Sequence, residues 1–270
     1  MPLAYLSLAY TNIARRRFTA PLLALALLPA LSPSPAHSQA KVLHIAAAAD
    51  LQPVMPVLAQ EYEKQTGIKL EVSFGSSSNL ATQIINGAPM DVFLAADFSF
   101  PEKVVAANLA DEKEPVQYAN GTLVVWTRND SGIKPISVDR VLDANVTRVA
   151  VADQFHAPFG LAAYAVMDNM KILDKVKPKL VTAENVAQAA QFAESGNAQI
   201  AFISLTLASS PHMKEIGTFN RVPKVYPAIH QCGVVIKSSP NLAEAHKFLD
   251  WLTSAPVQAS LTRFGLEPIK

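Results

Sequence analysis

The sequence predicts an α/β protein of two lobes, and three observations predict it. Short apolar runs alternate with longer amphipathic stretches along residues 41–270, the pattern that interleaves strands with helices. The same alternation starts afresh after an apolar run at residues 122–126. No repeat of fixed period accompanies it, so the two halves repeat in style and not in letters.

Taken in order, residues 42–47 form a short apolar run of strand length. Asp50 then stands where a helix N-cap is expected, ahead of Leu51, Val54, Val57, Leu58 and Tyr62 at helical spacing. Thr66 and Gly67 end that helix, and residues 69–74 alternate as a second strand. The small-residue loop 75–79 opens a helix through Leu80, Ile84 and Ile85, which Gly87, Ala88 and Pro89 stop. A third strand at 91–95 and a helix around 101–108 follow. In the second half we expect strands at 122–126, 148–152 and 200–203, with helices at 160–170 and 186–195. A helix or loop lies near 205–209, a strand at 232–237, and closing helices at 242–254 and 257–264. The expected organisation is residues 41–122 with 232–270 as the first lobe and 123–231 as the second. Two crossings between lobes make a hinge, and the cleft between lobes is where a ligand would be enclosed.

Residues 1–40 do not belong with the rest. Arg15, Arg16 and Arg17 precede an apolar run from 18 to 31, and a Ser/Pro-rich stretch ends in Ser38-Gln39-Ala40. That is the layout of a secretory signal peptide cleaved after Ala40. The run is 14 residues long and holds Pro21 and Pro29, short of the roughly 20 apolar residues that span a bilayer. The leader takes three of the chain's 23 basic residues and none of its 22 acidic ones, which leaves a net charge of −2. A chain without a basic field is a poor partner for nucleic acid, and any anion must be captured by local geometry. Cys232 is the single cysteine, so no intrachain disulfide forms, and its apolar surroundings read as core. No cysteine near Ala40 offers a lipid anchor.

Four loops carry the chemistry: 47–50, 75–79, 157–160 and 184–186. Each joins the carboxyl end of a strand to the start of a helix, where open α/β sheets bind ligands. Helix starts offer unpaired amides and partial positive charge, and serine hydroxyls add neutral donors. Such a site can hold a fully ionised tetrahedral anion without lysine or arginine.

The strings Ala46–Leu51, Phe74-Gly-Ser-Ser-Ser-Asn-Leu80, Gln83-Ile84 and Asn86-Gly-Ala-Pro-Met-Asp-Val-Phe-Leu-Ala-Ala-Asp97 resemble the periplasmic molybdate-binding proteins of ABC transporters. The likeness continues through residues 150–160, Glu184-Asn-Val186 and Arg263-Phe264-Gly265. It implies a type II periplasmic-binding-protein fold, each lobe a mostly parallel sheet flanked by helices. It also implies a monomer without cofactor or catalysis, which takes molybdate, and tungstate beside it, to the membrane subunits of the transporter. Carried over by position, the ligand contacts fall on Asp50, Ser77, Phe159, Val186 and Ser204. Ser77 matches in kind; Phe159 and Val186 would offer amides. The family commonly has Ser, Thr or Asn at position 50 and often Tyr at position 204.

Asp50 is the sharp departure. A carboxylate about 4 Å from one unit of like charge costs roughly 4 kcal/mol at an effective dielectric near 20. Against a dianion that is about twice as much, where nanomolar binding amounts to about −12 kcal/mol in all. Three arrangements relieve it: Asp50 turns away to cap its own helix, it is protonated, or the ligand differs. The first is the expectation taken forward. Two other functions stay open, a carrier of the same fold for another small ligand and a secreted hydrolase assembled from Ser76, Ser77 or Ser78 with His156 and Asp153. No Gly-x-Ser-x-Gly elbow supports the latter.

Overall fold

The computed structural model describes residues 41–269; the leader and its cleavage point lie outside the described residues. The first run of elements is β1 (Val42–Ala48), α1 (Met55–Thr66), β2 (Lys69–Gly75), α2 (Ser77–Ile85), β3 (Val92–Ala95), α3 (Ser99–Ala106) and β4 (Val116–Gly121). The second is β5 (Leu123–Arg128), β6 (Val149–Ala152), α4 (Pro158–Asn169), α5 (Leu173–Val176), β7 (Leu180–Ala183), α6 (Val186–Glu194), β8 (Ile200–Ser204), α7 (Leu205–Ala208), α8 (Pro211–Ile216) and β9 (Gly217–Arg221). Then come β10 (Ile229–Val235), α9 (Leu242–Thr253) and α10 (Ala255–Ser260).

Two five-stranded sheets result, in the orders β2-β1-β3-β10-β4 and β7-β6-β8-β5-β9. They share one plan. In each, three strands run parallel (β2, β1, β3 and β7, β6, β8), and an antiparallel pair completes the edge (β10 with β4, β5 with β9). The halves that repeat in style thus repeat in topology, with the antiparallel strand at fourth place in each sheet supplied from across the junction.

Side-chain alternation sorts the core. On β1, Leu43, Ile45 and Ala47 face one side with Leu58 and Tyr62 of α1 and Phe248 and Leu252 of α9, while Ala46 joins Leu80 and Ile84 of α2 and Val104 of α3 on the other. Both faces of the first sheet are therefore covered, as a sheet with parallel strands at its centre requires. Trp126, Val149, Val151, Phe202 and Met167 lead the core around the second sheet. Each such fully buried aliphatic or aromatic side chain contributes roughly 1.5–3 kcal/mol. Cys232, on β10 of the first sheet, is fully buried; its thiol donates to the Asp97 carbonyl at 2.8 Å, and burial pushes its pKa up.

Three strands escaped the sequence reading: β4, β7 and β9. All are sheet edges, where one flank is unpaired and the apolar pattern weakens. Asp50 does not cap α1, contrary to expectation. Residues Ala49–Leu51 make a single 3-10 turn, and α1 begins only at Met55 with Val54 before it. Pro53, the third residue after Asp50, has no amide, and the Gln52 amide goes to the Ala49 carbonyl at 3.3 Å, so neither donor that an N-cap there would bind is free. Gly67, left-handed at φ 71°, closes α1 as expected.

The chain leaves the first sheet at Gly121, enters the second at Leu123, and returns between Arg221 and Ile229. Glu267 ties these crossings together. Its backbone pairs with Asn120 in both directions, at 2.7 and 2.9 Å. Its carboxylate accepts from the Thr122 hydroxyl at 3.0 Å and from Arg221 at 3.2 Å. Tyr226 adds a tie of its own, its hydroxyl accepting the Leu123 amide at 3.2 Å. Among the described residues no helix is long and apolar enough to cross a membrane.

Candidate functional site

Between the sheets lies a small cavity lined by Ala48, Ala49, Asp50, Gly75, Ser76, Ser77 and Ala96 from one side and Ala157, Pro158, Phe159, Asn185 and Val186 from the other. The room inside it is about 10 Å³, space for about one water molecule. No lysine, arginine or histidine lines it.

Three helices of the two lobes begin at this cavity, and their first-turn amides have no acceptors within the helix. Most are spoken for. On α2, the Ser78 amide donates to the His156 carbonyl at 3.3 Å and the Asn79 amide to the Ser76 hydroxyl at 3.3 Å. On α6, Asn185 Oδ1 accepts from the Ala187 and Gln188 amides at 3.1 and 3.0 Å. What the caps leave over are the amides of Ser77 and Val186, the first residue of each helix. On α4, Pro158 has no amide to give, so Phe159 is the first donor. Gly160 lets that helix start sit hard against the end of β6: a Cβ there would meet the Ala152 and Asp153 carbonyl oxygens at 2.4 and 2.5 Å.

Ser77 carries a second donor. Its Oγ accepts the Ala96 amide at 3.1 Å, which occupies an oxygen lone pair and leaves the hydroxyl hydrogen free. Ser76, its neighbour, is spent as the cap.

Asp50 is fully buried. Gln231 Nε2 donates to its Oδ2, while Oδ1 is buried with no hydrogen-bond partner. Burial pushes the carboxyl pKa up to about 7, although the Gln231 amide and its own backbone amide pull the other way. The side chain is thus neither a cap nor turned to solvent, which corrects the arrangement expected from sequence.

Ser204 does not line the cavity. It caps α7, its Oγ accepting the Leu207 amide at 3.2 Å and lying 2.6 Å from Thr206 Oγ1. Thr206 donates its own hydrogen to the Asp50 carbonyl at 2.7 Å, so the Ser204 hydrogen must go to Thr206. Its hydroxyl has nothing left to offer a ligand. Of the five residues singled out, Asp50, Ser77, Phe159 and Val186 come together, and Ser204 reaches the cavity wall only through Thr206.

The two sides are bonded to each other here. Besides Ser78 to His156 and Thr206 to Asp50, the Asn79 side chain donates to Glu184 at 2.7 Å. His156 pairs its ring with Asp153 at 3.0 Å, and among the described hydrogen bonds none links that ring to Ser76, Ser77 or Ser78. No nucleophile–base hydrogen bond of the kind that activates a serine is therefore formed among the described residues. Sequence reasoning missed Gln231 and Thr206. Gln231 did leave a trace, as a polar residue set in the apolar run of β10 and buried completely.

Residues 43–267 match the family described as bacterial extracellular solute-binding protein. The chain is 35% identical over 208 residues to the molybdate-binding protein ModA of Rhodobacter capsulatus, covering 76% of this chain and 79% of that one. It is 32% identical to its namesake in Azotobacter vinelandii over 84% of this chain and 90% of that protein. The solved structure of the Azotobacter vinelandii periplasmic molybdate-binding protein superposes with a TM-score of 0.79 at 29% identity, covering 84% of this chain and all of that one.

Proposed function

Since this chain belongs to the bacterial extracellular solute-binding protein family, we propose that it captures one tetrahedral oxyanion between its lobes and hands it to the membrane subunits of an ABC transporter. Molybdate is the first ligand, as the names of its relatives suggest, and tungstate the second. The observation that carries this reading is the set of donors left over by the caps. The Ser77 amide and hydroxyl and the Phe159 and Val186 amides lie on one small cavity with no basic side chain. Donors of that kind suit an anion that is fully ionised and carries only acceptors.

The lobes are residues 41–122 with 232–270, and 123–231, and the segments near Thr122 and between Arg221 and Ile229 serve as the hinge. The ranges of the two sheets support this division except at residues 229–231, which stand in β10 of the first sheet and go with the first lobe. Closure gains donors from both lobes at once, so the anion favours the closed form by the difference in contacts. The protein acts without cofactor or catalytic step, as a monomer in the periplasm, after removal of residues 1–40. Ser204 contributes by holding Thr206 against the Asp50 turn.

Asp50 favours a second reading, a carrier of the same fold for another small ligand, because a buried carboxylate is an uneasy neighbour for a dianion. Isothermal titration of the mature protein with molybdate, tungstate, sulfate and phosphate separates the two. One-to-one binding confined to molybdate and tungstate is the expected result. Silence from all four would overturn the oxyanion assignment and leave the second reading in its place.

A further inference from the structure

Asp50 of the cavity lining belongs to a buried polar cluster that lacks a hydrogen. Asp50 Oδ1 and Gln231 Oε1 are both buried without a hydrogen-bond partner, and both are acceptors. Gln231 Nε2 already donates to Asp50 Oδ2, and Thr206 to the Asp50 carbonyl. An orphaned carboxylate oxygen in such a place is unfavourable on its own account, and an incoming anion would bring only more acceptors. A single proton on Asp50 changes the sign of the problem. It removes the charge, and it turns the orphan oxygen into a donor beside the cavity that Asp50 lines.

The surroundings leave no other way to balance the charge. The 3-10 turn that carries Asp50 has no second titratable group. From β10 the titratable neighbour of Gln231 is Cys232, whose thiol is kept neutral by burial, with His230 on its other side bonded to Gln117 and Asn120. From β4 it is Tyr118, fully buried and held well above its usual pKa by burial and then by the Asp50 charge itself. Asp97, following Ala96 of the cavity wall, is raised by burial and is another potential negative charge. The loops that close the cavity from the second lobe carry Asp153 with His156, paired to each other, and Glu184, bonded to Asn79. Gly75, Ser76, Ser77 and Val186 of the lining, and Thr206 of α7 bonded to the Asp50 carbonyl, do not titrate. Cations that could offset an ionised Asp50 are absent from the lining.

Resting on the oxyanion reading, we infer that Asp50 admits the anion only in its neutral form, so that capture of a dianion by the ionised site takes one proton into the cavity and release returns it. In balance, the carboxylate, one proton from solvent and the dianion give the carboxylic acid with the dianion bound; no other bond is made or broken. Asp50 is then the specificity-determining residue that makes this carrier pH-dependent. Burial sets the crossover at about pH 7. Below it the site is already loaded with its proton, and above it every unit of pH weakens capture about tenfold.

The test is titration of the intact mature protein with sodium molybdate and sodium tungstate between about pH 6 and 9, where both anions are fully ionised. At the alkaline end each measurement is repeated in two buffers of different ionisation enthalpy, which counts protons taken up. The expected result is uptake of about one proton per anion above the crossover and a Kd that climbs about tenfold per pH unit there. In Asp50→Asn, which keeps the carbonyl that Gln231 binds and cannot ionise, both effects disappear. The wild-type proton count stands even if that variant does not fold. Binding that is flat across the range with no proton uptake would overturn the proton coupling and leave the oxyanion carrier intact. Failure to bind either anion at any pH would instead overturn the carrier itself, and the coupling with it.

Discussion

Helices α2 and α6 reach the cavity from different lobes, and both begin with a cap that consumes the amides behind the first. They differ in what the capping depends on. Asn185 serves α6 alone, taking the Ala187 and Gln188 amides with one oxygen. On α2, Ser76 takes only the Asn79 amide, and the Ser78 amide is taken by the His156 carbonyl of the opposite lobe. The second lobe therefore presents a finished set of backbone donors. The first lobe completes its own only on contact, and it also holds the groups that can change: the Ser77 hydroxyl and the Asp50 carboxyl. One lobe acts as a fixed template, and the other as the part that responds.

The largest expected effect tests whether the responsive chemistry is confined to the first lobe. Burial pushes the Asp50 carboxyl up to about 7 in the folded protein, against an ordinary value of 3.8. The folded protein keeps this proton longer than the unfolded chain, so stability falls as pH rises from about 4 to about 7 and levels off above. Asp50→Asn should therefore stabilise the fold by about 4 kcal/mol above pH 8 and by about half that at pH 5.5. Denaturant melts at the two pH values measure it. An offset that does not change with pH would remove the titration from Asp50.

Next comes the template. Val186 is the first residue of α6 and follows Asn185 in an extended conformation, a place where proline fits and only the amide hydrogen is lost. Val186→Pro should weaken molybdate binding by about 10- to 100-fold, the value of a charge-assisted hydrogen bond, with its thermal midpoint nearly kept. Val186→Ala should bind as the parent does. If the alanine variant loses as much as the proline one, the side chain matters and the lobe is no backbone template.

The smallest effect concerns Ser204. Removing an N-cap hydroxyl costs about 1 kcal/mol, and Ser204→Ala should show that loss in a melt while the titration with molybdate hardly moves. A binding loss beyond about tenfold would return Ser204 to direct contact.

What the sequence disclosed follows the same physics. The central strands β1, β3, β6 and β8 were legible because burial on both faces writes continuous apolar runs. The edges β4, β7 and β9 were not, since half their surroundings are solvent or loop. Ser77, Phe159 and Val186 were placed by resemblance and by the logic of helix starts. Ser204 came with them, but whether a hydroxyl is free depends on a neighbour two residues on, Thr206, and on a carbonyl 156 positions away. Gln231 lies 181 residues from Asp50, a separation across which no local pattern speaks. The N-cap expected at Asp50 failed on information that was present in the sequence, namely Pro53.

Glu267 touches both crossings with its backbone and its carboxylate, whereas the Ser78–His156 and Asn79–Glu184 bonds join the lobes directly. When the lobes swing apart the second group must break and the first need only twist. A fluorophore attached near position 267 should then sit at a quiet point while one beside Asn79 dims or brightens with each capture, which makes the pair a built-in reference and signal for an optical sensor of the anion.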